Sequence, residues 1–182
     1  MTRVYIILGK GFEEIEAITP GDILRRGAIK VYYAAVGKKK LVMGAHGISI
    51  QADVKLSDVI FTNGDYIVIP GGMSGVNSIK TNSSAMKTLR AAINGGANIA
   101  AICAGPSVLA QLGLLEGRRI TCYPGLEEMM TGALCDVSLP VVKDGKLITG
   151  RAPGAAIDFA LALVAEISSK ELLDRIKKGL VY

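Results

Sequence analysis

Tryptophan is absent from this 182-residue sequence, histidine occurs once (His46), and phenylalanine occurs three times. So few rings leave Ile, Val, Leu and Ala to fill any core. They also leave little aromatic surface on which nucleic-acid bases could stack. The three cysteines, Cys103, Cys122 and Cys135, form no CxxC pair. With one histidine beside them, the spacing of a metal site is missing, and no metal is expected. An odd number of thiols without a disulfide framework suits a reducing compartment, so a cytoplasmic protein is expected. Long apolar runs are lacking too. Val4–Leu8 is too short to span a bilayer and has neither the basic flank nor the cleavage site of a signal peptide, and later runs are broken by glycine or charge. No membrane association is expected.

Charge is sparse as well, at 20% of residues against 50% hydrophobic, which excludes a disordered chain because enough apolar surface is present to offset ordering entropy. The net charge of +5 comes from scattered clusters, Arg25-Arg26, Lys38-Lys39-Lys40, Arg118-Arg119 and Lys177-Lys178. Without interleaved aromatics these read as solvated faces and turns, and nucleic-acid binding is a weak alternative.

What is present alternates. Strand-like Val4–Leu8 precedes a helix over Glu14–Arg26, with Ile15, Ile18, Ile23 and Leu24 expected inward and Pro20 a possible kink. Ile29–Ala35 is a second strand, and residues 38–55 read as a small hairpin-like excursion. Tyr66–Ile69 is a strand ending in Pro70-Gly71-Gly72. A helix over Ser83–Asn94, capped by Ser, leads to the apolar strand Asn98–Ile102. A short helix over Ser107–Leu112 and a strand over Arg119–Cys122 follow. Val137–Val142 and Leu147–Thr149 flank an Asp-Gly turn, and helices run from Pro153-Gly154 to Ile167 and from Glu171 to Lys178. This alternation predicts an α/β domain covering residues 1–182, with a largely parallel sheet and helices on both faces.

Ligands of such sheets gather at the carboxyl ends of the strands. There the run Ala100-Ala101-Ile102-Cys103-Ala104-Gly105-Pro106 has small residues on either side of a thiol. This pattern suits a sharp strand-to-helix elbow exposing one nucleophile, with amides and a helix N-terminus favouring its thiolate. The same segment also suits a small thiol merely packed at a strand end. Gly72 ends the neighbouring strand, and its amide together with that of Ala104 could form an oxyanion hole. Glu13 and Glu14 suit a helix N-terminus, whereas Glu16 could instead point into the crevice. A carboxyl beside a thiolate should have a raised pKa, and when protonated it could donate to the sulfur and move protons.

With these residues in hand, the sequence resembles the DJ-one/ThiJ/PfpI superfamily, in its DJ-one (Parkinson disease protein 7)-like branch. The resemblance runs through Gly11-Phe12-Glu13-Glu14-Ile15-Glu16, Pro20 to Arg26, Ile69-Pro70-Gly71-Gly72, Ala100 to Pro106 and Arg151-Ala152-Pro153-Gly154. It implies a flavodoxin-like three-layer sandwich that forms a homodimer and needs no cofactor. It implies Cys103 and Glu16 as the reactive cysteine and its acid, Gly72 and Ala104 as amide donors, and Arg26 as an arginine near the dimer end of the pocket. The implied function is that of an oxidative-stress protein and redox sensor whose cysteine becomes a sulfinic acid. Cofactor-independent glyoxalase or deglycase activity on a small aldehyde or glycated substrate is also implied. A non-enzymatic, redox-regulated chaperone is the alternative.

The sequence departs from the family in places. Tyr123 stands where some relatives have a histidine and cannot replace an imidazole base. His46 lies in the excursion where human-like relatives carry an arginine, either reaching a partner's pocket or inert in its loop. Ala104 follows the cysteine where the protease-like branch has a histidine, and the late His-x-Glu pair of glutamine amidotransferases is missing. Cys122 and Cys135 read as structural.

Overall fold

The computed structural model describes residues 2–182; Met1 of the expected domain lies outside them. A seven-stranded sheet forms the centre, in the order β10-β11-β7-β6-β1-β2-β5. Its strands are β1 (Arg3–Leu8), β2 (Lys30–Ala35), β5 (Val54–Lys55), β6 (Tyr66–Ile69), β7 (Asn98–Ile102), β10 (Val141–Asp144) and β11 (Leu147–Gly150). All neighbours pair in parallel except β10 and β11, which form an antiparallel hairpin at one edge. The central strands are apolar beyond their first residues because helices cover both faces: Val4, Ile6, Ile7, Leu8, Ile67, Val68, Ile69, Ala100, Ala101 and Ile102 are all fully buried.

On one face α1 (Glu14–Arg26) packs on α5 (Ala156–Ile167), which also contacts α6 (Lys170–Leu180). The other helices are α2 (Met73–Lys80), α3 (Ser83–Asn94) and α4 (Pro106–Gln111), and α2 contacts both α3 and α4. Short 3-10 turns occupy Leu56–Asp58, Glu127–Met129 and Pro153–Ala155. The chain runs outward from β1 through β2 to β5, then returns to the other side of β1 at β6. That reversal opens a crevice beyond the carboxyl ends of β1, β6 and β7, where ligands of such sheets bind.

Several expectations need correcting. α1 runs unbroken through Pro20, and its buried stripe is Glu16, Ala17, Pro20, Ile23 and Leu24, whereas Ile15 and Ile18 face outward. The stripe recurs at the helical spacing of three and four residues, so the period, not the hydrophobicity of single residues, sets the inward face. Helix α2 follows Gly72 directly, in a stretch where the sequence suggested no element, burying Val76 and Ile79 one turn apart. Asn82, not a serine, caps α3: its side chain accepts the Ala85 amide at 2.9 Å.

The strand expected over Arg119–Cys122 is shortened to β8 (Arg119–Ile120), paired in parallel with β9 (Leu134–Cys135) outside the central sheet. The Thr121 amide is drawn instead to Thr149 Oγ1 at 2.9 Å, and its hydroxyl donates to the Leu139 carbonyl at 3.0 Å. In the β10–β11 hairpin Asp144 pairs with Leu147, so Gly145 and Lys146 make the turn. The expected excursion is β3 (Leu41–Met43) antiparallel to β4 (Ser49–Gln51), after which β5 rejoins the sheet beside β2.

Candidate active site

Cys103 follows the last residue of β7. Its amide donates to the Gly150 carbonyl on β11 at 2.9 Å, so strand pairing continues one residue past the strand. The chain then reverses. The Gly105 amide bonds back to the Ile102 carbonyl at 2.8 Å, and Cys103 itself adopts φ +64°. A side chain rarely takes that conformation, which costs about 1–3 kcal/mol and persists where the surroundings enforce it. Gly105 is required by packing: a Cβ there would lie 2.4 Å from the Ile69 carbonyl oxygen on β6. From the other side the Tyr123 amide holds the Cys103 carbonyl at 3.1 Å.

Glu16 enters from the first turn of α1 and is fully buried. Its Oε2 accepts the Gly71 amide at 2.7 Å, while Oε1 has no hydrogen-bond partner among the described residues. Burial pushes the Glu16 carboxyl up to about 7; the Gly71 amide and the Cys103 thiol draw it down, and Glu13 adds to the rise. The Cys103 thiol, 8% exposed, is likewise pushed up, first by burial and then by the charge and hydrogen bonding of Glu16. Against this act the backbone amides of Ala104 and Gly72, which draw the thiol down.

The thiolate that the elbow's amides and helix N-terminus were expected to favour therefore meets an opposing effect, burial, and α4 is only six residues long. The two acids behave as a pair. Once one proton has left, the other is held strongly, and carboxylate–thiol and carboxylic acid–thiolate are tautomers of one singly charged state.

The other anticipated residues are placed differently. Gly72 adopts φ +81° as it leads from β6 into α2. Tyr123 is 46% exposed, and its backbone, rather than its ring, contacts the elbow. Arg26 stands at the far end of α1, paired with Asp22 at 2.7 Å and about 15 Å along the helix from Glu16. The structure does not bring it to this chain's sulfur. His46 sits at the tip between β3 and β4, where its Nδ1 lies 2.9 Å from Glu14 Oε2.

Glu14, whose place in the sequence suits a helix-terminus charge, is instead buried and anchors that tip, accepting the amides of His46 at 2.7 Å and Ile48 at 3.3 Å. Glu13, Glu14 and His46 offer ligand atoms within 4.8 Å of one another, but Glu14 is already engaged by backbone amides. Sequence reasoning also missed Gly71. Its amide orients Glu16, and a Cβ on it would lie 2.6 Å from Glu16 Oε2 and 2.8 Å from the Cβ of Cys103.

Together these features define a class: flavodoxin-like α/β proteins with a cysteine elbow opposed by a buried carboxyl. The chain belongs to the DJ-1/PfpI family, whose model matches residues 2–166. It is 39% identical to protein dj-1beta of Drosophila melanogaster over 177 residues, covering 97% of this chain and 95% of the relative. The crystal structure of Drosophila DJ-1beta superposes with a TM-score of 0.88 at 37% identity, covering 99% of this chain and 97% of that one. The glutathione-independent glyoxalase DJR-1.2 of Caenorhabditis elegans is 36% identical over 169 residues, 92% of this chain and 89% of the relative. A deglycase of Pyrococcus abyssi is 33% identical over 153 residues, 84% of this chain and 91% of the relative. No helix among the described residues is long and apolar enough to cross a membrane.

Proposed function

We propose that the protein protects against oxidative and carbonyl stress through Cys103, as a redox-responsive thiol and as a glyoxalase acting on small dicarbonyls such as methylglyoxal. One observation carries the reading: a strained cysteine and a fully buried carboxyl meet across Gly71, with the Ala104 amide at the same point. The relatives named glyoxalase and deglycase support aldehydes or glycated groups as the substrate class.

In the proposed reaction the Cys103 sulfur adds to the aldehyde carbon as its proton passes to Glu16, giving a hemithioacetal whose oxyanion the Gly72 and Ala104 amides stabilise. Glu16 returns that proton to the oxyanion and is a carboxylate again. It then moves the proton from the former aldehyde carbon to the neighbouring carbonyl carbon, while the hydroxyl proton passes to the neighbouring oxygen, leaving a thioester of the 2-hydroxy acid. Water hydrolyses it, so methylglyoxal plus water becomes lactate. The thiol that glutathione would otherwise supply is the protein's own. As a redox centre, the same sulfur would take two oxygens from peroxide, and the resulting sulfinate would be held by the two amides and the Glu16 proton.

Two further parts of the proposal concern assembly and compartment. Ile15 and Ile18 on α1 and Leu41, Met43 and Ile48 on the hairpin are exposed apolar residues near the loop over residues 9–13. Pairing two copies over this surface would cover it and wall the crevice, which supports a homodimer. Three free thiols support a reducing compartment such as the cytoplasm. Purified protein that converts methylglyoxal to lactate, with the activity lost in Cys103→Ala, is the expected result. Equal rates in both proteins overturn the enzymatic reading.

A further inference from the structure

Two cysteines outside the crevice are brought together by the fold. Strands β8 and β9 pair in parallel with Ile120 opposite Cys135, and the clamp is tightened on both sides of that residue. The Leu134 amide donates to the Arg118 carbonyl at 2.8 Å, and the Asp136 amide to the Ile120 carbonyl at 2.9 Å. Cys122 lies two residues beyond Ile120, and its Sγ stands 3.3 Å from the Sγ of Cys135. Both are free thiols, Cys122 fully buried and Cys135 partly open to solvent. A disulfide needs the sulfurs about 1.3 Å closer.

We infer that Cys122 and Cys135 form a second redox site, a dithiol that a hydroperoxide converts to an intramolecular disulfide independently of Cys103. The more accessible member reacts first: the Cys135 sulfur attacks hydrogen peroxide and expels hydroxide, which leaves as water with the thiol's proton, giving a sulfenic acid. The Cys122 sulfur then attacks that sulfenic sulfur and expels a second water. In sum, two thiols and one peroxide give one disulfide and two waters. A buried resolving thiol already in contact makes the second step faster than further oxidation of Cys135, since no loop has to close. Burial pushes both thiols up, but the hydrogen bond between them adds to the rise at Cys122 and opposes it at Cys135, so Cys135 is the one to react first. The bond would lie one residue from Tyr123, whose amide holds the Cys103 carbonyl, so the two redox sites share a wall.

Tryptic mapping separates the sites, because residues 120–143 contain no internal Lys or Arg and carry both thiols, whereas Cys103 falls on the peptide 91–118. Native protein is treated with stepwise hydrogen peroxide, alkylated in denaturant and digested. The expected result is a 120–143 peptide that is unalkylated and lighter by two hydrogens than its reduced form. It should revert with dithiothreitol and appear equally in wild type and in Cys103→Ala. The inference is overturned if both thiols of that peptide remain alkylated while Cys103 oxidises. It is equally overturned if oxygen accumulates on Cys122 or Cys135, or if either links to the 91–118 peptide. None of these outcomes depends on whether Cys103 turns over an aldehyde.

Discussion

Glu16 and Cys103 share a space that exists because the residue between them has no side chain. The Gly71 amide donates to Glu16 Oε2 at 2.7 Å, and the position a Cβ would take at Gly71 lies 2.6 Å from that oxygen and 2.8 Å from the Cβ of Cys103. The three residues arrive from α1, β6 and β7, so the pair exists only once the sheet has assembled.

Because burial raises both groups, the first proton lost on raising the pH belongs to the pair, near the value of about 7 given for Glu16. Iodoacetamide alkylation of Cys103 should therefore rise with pH through a midpoint near 7. In Glu16→Gln no carboxylate can take the thiol proton. The midpoint should move upward and the rate at pH 7 should fall about 10–100-fold. Unchanged profiles in the two proteins would remove Glu16 from the chemistry.

The same shift bears on stability. The folded Glu16 pKa, about 7, lies above its unfolded value of 4.5. The stabilisation of its neutral form is thus fully present below 4.5 and is lost as pH rises through 7, an effect on the order of 3 kcal/mol. Glu16→Gln keeps an oxygen for the Gly71 amide and never carries a buried charge. Thermal unfolding at pH 8 should show the variant more stable than wild type, by about 1–3 kcal/mol, with the gap closing towards pH 4. A constant gap across that range contradicts the assigned charge burial.

The elbow was legible in the sequence because it is local: a thiol set between small residues at the end of an apolar strand, with a helix behind it. Glu16 was legible by period, since Ala17, Pro20, Ile23 and Leu24 continue its stripe, although inspection of hydrophobicity alone placed Ile15 and Ile18 inward. Helix α2 was hidden by its weak helix formers Ser74, Gly75, Asn77 and Ser78, and β8 was overextended because Thr121 bonds to Thr149, far away in sequence. The contact of Cys122 with Cys135, the anchoring by Glu14 and the gap left by Gly71 are all tertiary. No local pattern encodes them, and Arg26 shows the converse, a matching motif residue placed far from the sulfur within its own chain.

Gly71→Ala tests the shared space directly. The added methyl contacts Glu16, Cys103 and the Ala104 amide at 2.6, 2.8 and 3.0 Å, distances that force atoms apart. Overpacking of this kind costs about 1–3 kcal/mol. Denaturant unfolding should show that loss, and Cys103 alkylation should lose its midpoint near 7 as the pair separates. Wild-type behaviour in both measurements would mean that the crevice is more yielding than its packing indicates.

The tip between β3 and β4 depends on one carboxylate. Glu14 takes the amides of His46 and Ile48 and the His46 ring, the last at 2.9 Å, while being almost wholly buried itself. Removing it leaves two backbone donors without their acceptor, which costs about 1–3 kcal/mol where water cannot replace it. His46→Ala removes only the exposed ring and leaves both backbone bonds in place. Hydrogen exchange should therefore accelerate at His46 and Ile48 in Glu14→Ala, with the central strands unaffected, and should stay near wild type in His46→Ala. Because the exposed Leu41, Met43 and Ile48 ride on this hairpin, Glu14→Ala should also weaken the proposed dimer, read by sedimentation as a rise in the monomer fraction on dilution. If His46→Ala loosens the tip as much as Glu14→Ala does, the ring rather than the buried carboxylate is the anchor, and the hierarchy argued from burial is reversed.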